Sequence, residues 1–232
     1  MFVTRTSRFT AMGFALLFAI CMVSSGRADQ PGFTTIDVPG ASLTATQAFG
    51  INPKGDIVGT YGNATGEHGF LLSKGALTTI DVPGASLTRA FGINPEGDIV
   101  GVYFNATAEH SFLLSRGAVT TIDVPGASFT EATGINPQGD LVGLYFNATG
   151  LHGFLLSKGA FTNIDVPGAS LTKAFGINPE GDIVGSYANG TGLHGFLLSR
   201  GAVTTIDFPW CFLNKHRGLW DQSPRRHRGR LL

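Results

Sequence analysis

The sequence predicts an all-β protein: a β-propeller-like array of four-stranded antiparallel blades with a repeat of about 42 residues. Three observations predict it. The heptad TTIDVPG or a close variant recurs at Thr34 to Gly40, Thr78 to Gly84, Thr120 to Gly126, Thr162 to Gly168 and, as TTIDFP, from Thr204. Its isoleucines, at 36, 80, 122, 164 and 206, are spaced 44, 42, 42 and 42 apart, and the two extra residues fall in SLTATQAFGIN of the first copy. Composition agrees: 33 glycines and 18 phenylalanines against three methionines suit short strands and tight turns, and 43% hydrophobic with 14% charged residues excludes a disordered chain.

Turn chemistry places four strands in each unit. In the second, Ala90 to Asn94 is a short apolar run, Pro95-Glu96-Gly97 a turn, and Asp98 to Phe104 a second strand. Asn105 to Glu109 is a polar connection. His110 to Ser115 is the third strand, Arg116-Gly117 a two-residue hairpin turn, and Ala118 to Val124 a Thr- and Val-rich fourth strand. Small residues within strands, such as Ala90 and Gly101, suit sheets stacked face to face. The units run roughly 41–82, 85–124, 127–166 and 169–207, preceded by a lone strand, 33–38. An open β-repeat array is the alternative.

Residues 1–28 carry three Arg and no acid, 29–207 seven Lys/Arg against fifteen Asp/Glu, and 208–232 six Lys/Arg against Asp221 alone. The repeat body is thus net acidic, which argues against nucleic acid, whose phosphates require clustered cations. The first segment has the order of a secretory signal: Arg5 and Arg8, an apolar run Ala11 to Val23, then small residues up to a cleavage site between Ala28 and Asp29. The run is too short for a permanent membrane span, so export is expected with no span left after cleavage. That removes Cys21 and leaves Cys211 without a disulfide partner.

The run GINPxGDIVGxY followed by H-[GS]-F-L-L-S-[KR]-G-A resembles the HAF repeat of bacterial extracellular proteins. His68-Gly69-Phe70, His110-Ser111-Phe112, His152-Gly153-Phe154 and His194-Gly195-Phe196 stand at its His-Ala-Phe positions. The resemblance covers residues 33 to 207 and implies an extracellular, propeller-like repeat protein, with no activity or ligand attached.

After Pro209 the repeat stops. Back-translated and read one base later, the tail from Trp210 spells GASLTxxxAFGINPxGDIVGxY, matching the first repeat at every fixed position. A single extra base near codon 209 accounts for this and removes function from Cys211, Trp210, Trp220 and the Arg/His cluster. In frame, that string supplies two strands of a fifth blade, which Phe33 to Val38 could help complete. As written, four blades and a spare strand leave an edge open to self-association.

Each repeated polar residue has a structural reading beside a functional one. His68, His110, His152 and His194 could ring a channel and bind a metal, but each is expected to tie down a neighbouring loop by a hydrogen bond. Asp56, Asp98, Asp140 and Asp182 follow Asn-Pro-x-Gly, and one carboxylate per turn is too few for calcium. A turn-stabilising role is expected there. Asp37, Asp81, Asp123, Asp165 and Asp207 are expected inside the fourth strand as repeated structural hydrogen bonders. The departures Ala108, Ser111 and Thr133 add no nucleophile with a base. The four Asn-x-Thr tripeptides starting at Asn63, Asn105, Asn147 and Asn189 are expected as polar turns. Tyr103-Phe104 and Tyr145-Phe146 could form an aromatic surface or pack between blades.

These readings lead to a secreted, non-catalytic protein without cofactor, with a structural or binding role towards carbohydrate or another extracellular protein. The alternatives are an extracellular propeller hydrolase or lyase acting on a polymer, and a non-functional frameshift product.

Overall fold

The computed structural model describes residues 32–42 and 46–207; the expected signal segment with Ala28 and Asp29, and the tail 208–232, lie outside them. The chain divides into Met1–Thr35 and Ile36–Leu232, and all described strands belong to the second unit. They form four meanders. Blade 1 is β1 (Gln47–Ile51), β2 (Ile57–Asn63), β3 (Gly66–Ser73) and β4 (Ala76–Ile80), and blade 2 is β5 (Leu87–Ile93), β6 (Ile99–Phe104), β7 (Glu109–Ser115) and β8 (Ala118–Ile122). Blade 3 is β9 (Phe129–Ile135), β10 (Leu141–Asn147), β11 (Gly150–Ser157) and β12 (Ala160–Ile164); blade 4 is β13 (Leu171–Ile177), β14 (Ile183–Asn189), β15 (Gly192–Ser199) and β16 (Ala202–Ile206). Neighbours within each blade pair antiparallel, and one parallel bridge, Glu67 with Leu87, joins blade 1 to blade 2.

The glycine of each second strand lies opposite the phenylalanine of the third: Gly59 with Phe70, Gly101 with Phe112, Gly143 with Phe154 and Gly185 with Phe196. A Cβ on Gly59 would lie 2.7 Å from the Phe70 ring and 2.0 Å from the Gln47 carbonyl, so only glycine admits the aromatic. All four rings are fully buried. The hairpins close through Lys74-Gly75 and its equivalents, with φ of 50° and 80°, the type I′ geometry that matches strand twist.

The blades are stacked by the Val-Pro-Gly-Ala turn. Gly84, at φ 80°, sits at the third position of a type II turn closed by Ala85 N donating to Val82 O at 3.0 Å. This turn drives Val82 into the core of the next blade with Ala90 and Phe112, and Val82 N donates to Thr88 Oγ1 at 3.1 Å. Val166 repeats the arrangement at blade 4. The second strands of blades 2 and 3 are buried on both faces, because a neighbouring blade covers each side.

Three expectations are corrected. Phe33 to Val38 forms no strand: no three-stranded partner exists for it among the described residues, and it is anchored only through Val38, buried with Tyr61 and Phe70, and the partly buried Ile36. The fourth strands stop at the isoleucine, so Asp81, Asp123 and Asp165 lie just beyond them; the last partner on the third strand is already the Gly or Ser before Phe. The first strand of blade 2 begins at Leu87 instead of Ala90, since Leu87 pairs with Phe104, and it bulges at Phe91. Tyr103 and Tyr145 are buried, with their hydroxyls bonded to Thr121 and Asn163, which leaves Phe146 as the exposed aromatic of those two pairs.

Candidate functional site

Each repeated histidine faces the aspartate just past the fourth strand. His68 Nδ1 lies 2.8 Å from Asp81 Oδ1, His110 Nδ1 2.8 Å from Asp123 Oδ2, His152 Nδ1 2.9 Å from Asp165 Oδ1 and His194 Nδ1 2.9 Å from Asp207 Oδ1. Each ring also packs against the tyrosine opposite it on the second strand, centroids 5.1 to 5.3 Å apart. In three blades the second nitrogen is capped by the Asn-x-Thr loop: Thr65, Thr149 and Thr191 Oγ1 lie 2.9, 2.8 and 2.9 Å from the Nε2 of His68, His152 and His194. The loop is itself an Asx turn, in which Thr65 N and Oγ1 both donate to Asn63 Oδ1. Among the described residues no three His, Cys, Asp or Glu side chains converge.

Blade 2 departs from this pattern. Gly66, Gly150 and Gly192 hold φ between 135° and 143°, a conformation an L side chain rarely adopts, and blade 2 has Ala108 there. Its loop closes differently, with Asn105 N donating to Ala108 O and Ala108 N to Asn105 Oδ1. Thr107 keeps its bond to Asn105 but does not reach the ring, so His110 Nε2 has no hydrogen-bond partner among the described residues. Ala108 brings no nucleophile; it uncaps a base whose tautomer the Asp123 carboxylate sets.

The turn aspartates are held locally. Asn52 Nδ2 donates to Asp56 Oδ2 at 3.0 Å, while Asp56 N donates back to Asn52 Oδ1. The Asp98, Asp140 and Asp182 turns repeat this, at 3.0 to 3.1 Å. Hydrogen bonds from Ser73 and then Asn52 hold the Asp56 carboxyl below its ordinary range, and Ser199 and Asn178 do the same for Asp182. The buried Asn also links blades: Asn52 Nδ2 donates to Asn94 O at 3.2 Å, and Asn94 Nδ2 to Asn136 O at 3.4 Å.

A charged row crosses the blade seams where each third strand begins beside the first strand of the next blade. At the seam of blades 1 and 2, Glu67 takes a bidentate bond from Arg89, 2.7 Å at both contacts. These residues are 22 apart, and the same step gives Glu109 with Glu131 at the next seam and Leu151 with Lys173 at the third. The seams therefore hold an ion pair, two carboxyls and a leucine beside a lysine. Arg89 keeps the Glu67 carboxyl low. Burial raises Glu109, with repulsion from Glu131 adding to it, and burial likewise raises Glu131 against the pull of Lys173 and Arg89. The sequence pattern puts Glu109 in a polar connection and does not single out Glu131. The signal was the 22-residue step, which becomes readable once one seam pair is known. Ser111 serves the same seam, donating from Oγ to Thr130 O at 2.9 Å and accepting from Ala132 N at 2.7 Å.

No family model matches the chain, and no curated protein does. Solved structures align with part of the chain. A mutant of AofleA from Arthrobotrys oligospora aligns at TM-score 0.47 and 17% identity over 74% of this chain and 59% of that one. A streptogramin B lyase aligns at 0.38 and 15% over 73% and 72%, and a protein assigned as a gluconolactonase at 0.36 and 15% over 62% and 57%. The chain thus spans 59% of the AofleA chain. The expected non-catalytic structural or binding role is corrected here. Unlike groups do break the repeat: Glu131 repels Glu109 at a seam whose first counterpart is an ion pair, and the ring of His110 lacks the threonine cap of its three counterparts.

Proposed function

We propose that the chain is an extracellular propeller-type enzyme of the hydrolase or lyase class that cleaves a polymer, with Glu109 and Glu131 as its acid–base pair. The observation that carries this reading is that two carboxyl side chains stand within electrostatic reach of one another at one seam, where the equivalent positions elsewhere hold an ion pair or a leucine and a lysine. Two neighbouring carboxyls resist ionising together, so one keeps its proton at a pH where the other has lost it. The protonated group can donate to a leaving oxygen while its partner takes a proton from water or from carbon, the division of labour that polymer cleavage requires. Lys173 lies near enough to pull on the Glu131 carboxyl and suits a substrate carrying negative charge. Export is supported by the basic, apolar and small-residue order of residues 1–28, and an extracellular repeat of the HAF type by the four His-[GS]-Phe segments.

The test is incubation of the full chain with neutral and uronate polysaccharides. Hydrolysis is followed by new reducing ends, elimination by the ultraviolet absorbance of a new double bond. Cleavage is expected to be lost in both Glu109→Gln and Glu131→Gln. Cleavage that survives both substitutions, or no cleavage by the parent chain, overturns the reading.

A further inference from the structure

The geometry points to a head-to-tail interface in which blade 4 of one copy of this chain receives blade 1 of a second copy. Within the chain one joint is built three times. At the first, Val58 of blade 1 and Ile93 of blade 2 share a buried cluster. Val100 with Ile135, and Val142 with Ile177, repeat it. The bulge aromatics Phe49 and Phe91 meet edge to face across the first joint, centroids 5.2 Å apart. Backbones also close in: a Cβ on Gly134 would lie 3.0 Å from Phe175 O and 3.2 Å from Gly176 Cα.

The two ends of the array present the unpaired halves of this joint. Val184, the counterpart of the fully buried Val58, Val100 and Val142, is 45% exposed, and Phe175 beside it is 47% exposed. At the other end Ile51, the counterpart of Ile93 at 8%, is 68% exposed, and Phe49 is 48% exposed. Gly176 meets no neighbouring backbone where Gly50, Gly92 and Gly134 each do. Repeat units that bury their faces on one another leave such faces only at the ends, and contiguous exposed apolar patches mark association sites. The halves match a joint the chain already forms, so the occupant is a second copy. The contact is heterologous, with different surfaces on the two partners. It does not depend on the enzymatic reading.

The test is the mass in solution of the full chain and two variants, Val184→Asp and Ile51→Asp, by sedimentation across a range of concentrations. Both positions are exposed, so circular dichroism is expected to show the parent β signal in each. The parent is expected to reach at least twice the mass of one chain, and each variant alone to stay at one. Mixed, the variants are expected to form a one-to-one pair and go no further, because each retains the face that the other has lost. A variant that still dimerises alone overturns the head-to-tail geometry, as does a mixture that stays monomeric. A parent that is monomeric at every concentration overturns the interface, and slow amide exchange at Val184 in that monomer identifies the chain's own remaining segments as the occupant.

Discussion

Gly143→Ala isolates the feature that fixes both the blade and the seam site. An added Cβ at Gly143 would sit 2.0 Å from Glu131 O, 2.7 Å from Phe154 Cε1 and 2.9 Å from Ala132 Cα. Ordinary contact begins near 3.4 Å, so β9 must retreat by about 1.4 Å, the difference from 2.0 Å. A ladder bond of ordinary length stretched by that much is broken. Losing one or two such bonds at roughly 1 kcal/mol each, with overpacking at roughly 1–3 kcal/mol, gives a cost of about 2–5 kcal/mol. In urea this lowers the midpoint by about 1–2.5 M for a slope near 2 kcal/mol/M. The control is Gly190→Ala, where nothing lies within 4 Å and the other three repeats already carry Ala64, Ala106 and Ala148. It is expected to be neutral or to stabilise by up to about 1 kcal/mol. The displaced carbonyl belongs to Glu131, so Gly143→Ala should also disturb the carboxyl pair. A Gly143→Ala chain within about 0.5 kcal/mol of the parent refutes the packing argument.

Ser111→Ala leaves the Ala132 N–H without its 2.7 Å acceptor and is expected to cost about 1–3 kcal/mol in urea unfolding; unchanged stability would mean that the hydroxyl bridges nothing of consequence. The Asp56 and Asp182 carboxyls are held below the ordinary value of 3.8. Their contribution is therefore complete above that value and is lost as pH falls through the lower folded one. Melting temperatures compared from about pH 5 down to about pH 2 should fall less in the double variant D56N/D182N than in the parent; parallel curves would contradict this. Ala108→Gly is expected to return the loop to the form seen in the other blades and bring Thr107 Oγ1 to about 2.9 Å from His110 Nε2, the separation at His68. A crystal structure with the 105–108 turn unchanged would show that the alanine is not what uncaps the ring.

Most of the blade was legible because the chain states it four times. Lys74-Gly75 and its copies mark type I′ hairpins, Pro-Gly marks the turn between blades, and glycine against phenylalanine follows from the register of GDIVG with HGF. The Asp after Ile was misplaced into the strand because Thr-Thr-Ile-Asp-Val reads as one β-rich run. The ladder ends at Ile, where the chain must bend to send Val into the next blade. The spare strand 33–38 failed for a reason outside its own composition, since a fourth strand needs a third to pair with. The seam carboxyls were hidden because Glu109 and Glu131 belong to different blades, and only stacking sets them opposite each other. The uncapping of His110 was visible as Ala108 but meaningless until the φ of Gly66, Gly150 and Gly192 was known.

The central claim, a coupled carboxyl pair at the seam of blades 2 and 3, is tested most directly by following the side-chain carboxyl carbons of Glu109 and Glu131 by NMR through a pH titration. Both are predicted to titrate above the ordinary glutamate value of 4.5, raised by burial and, at Glu109, by Glu131 as well. In Glu131→Gln the Glu109 transition is predicted to move down towards 4.5 as the repulsion is removed. Two carboxyls that titrate at or below 4.5, or a Glu109 transition unmoved by Glu131→Gln, would contradict the account.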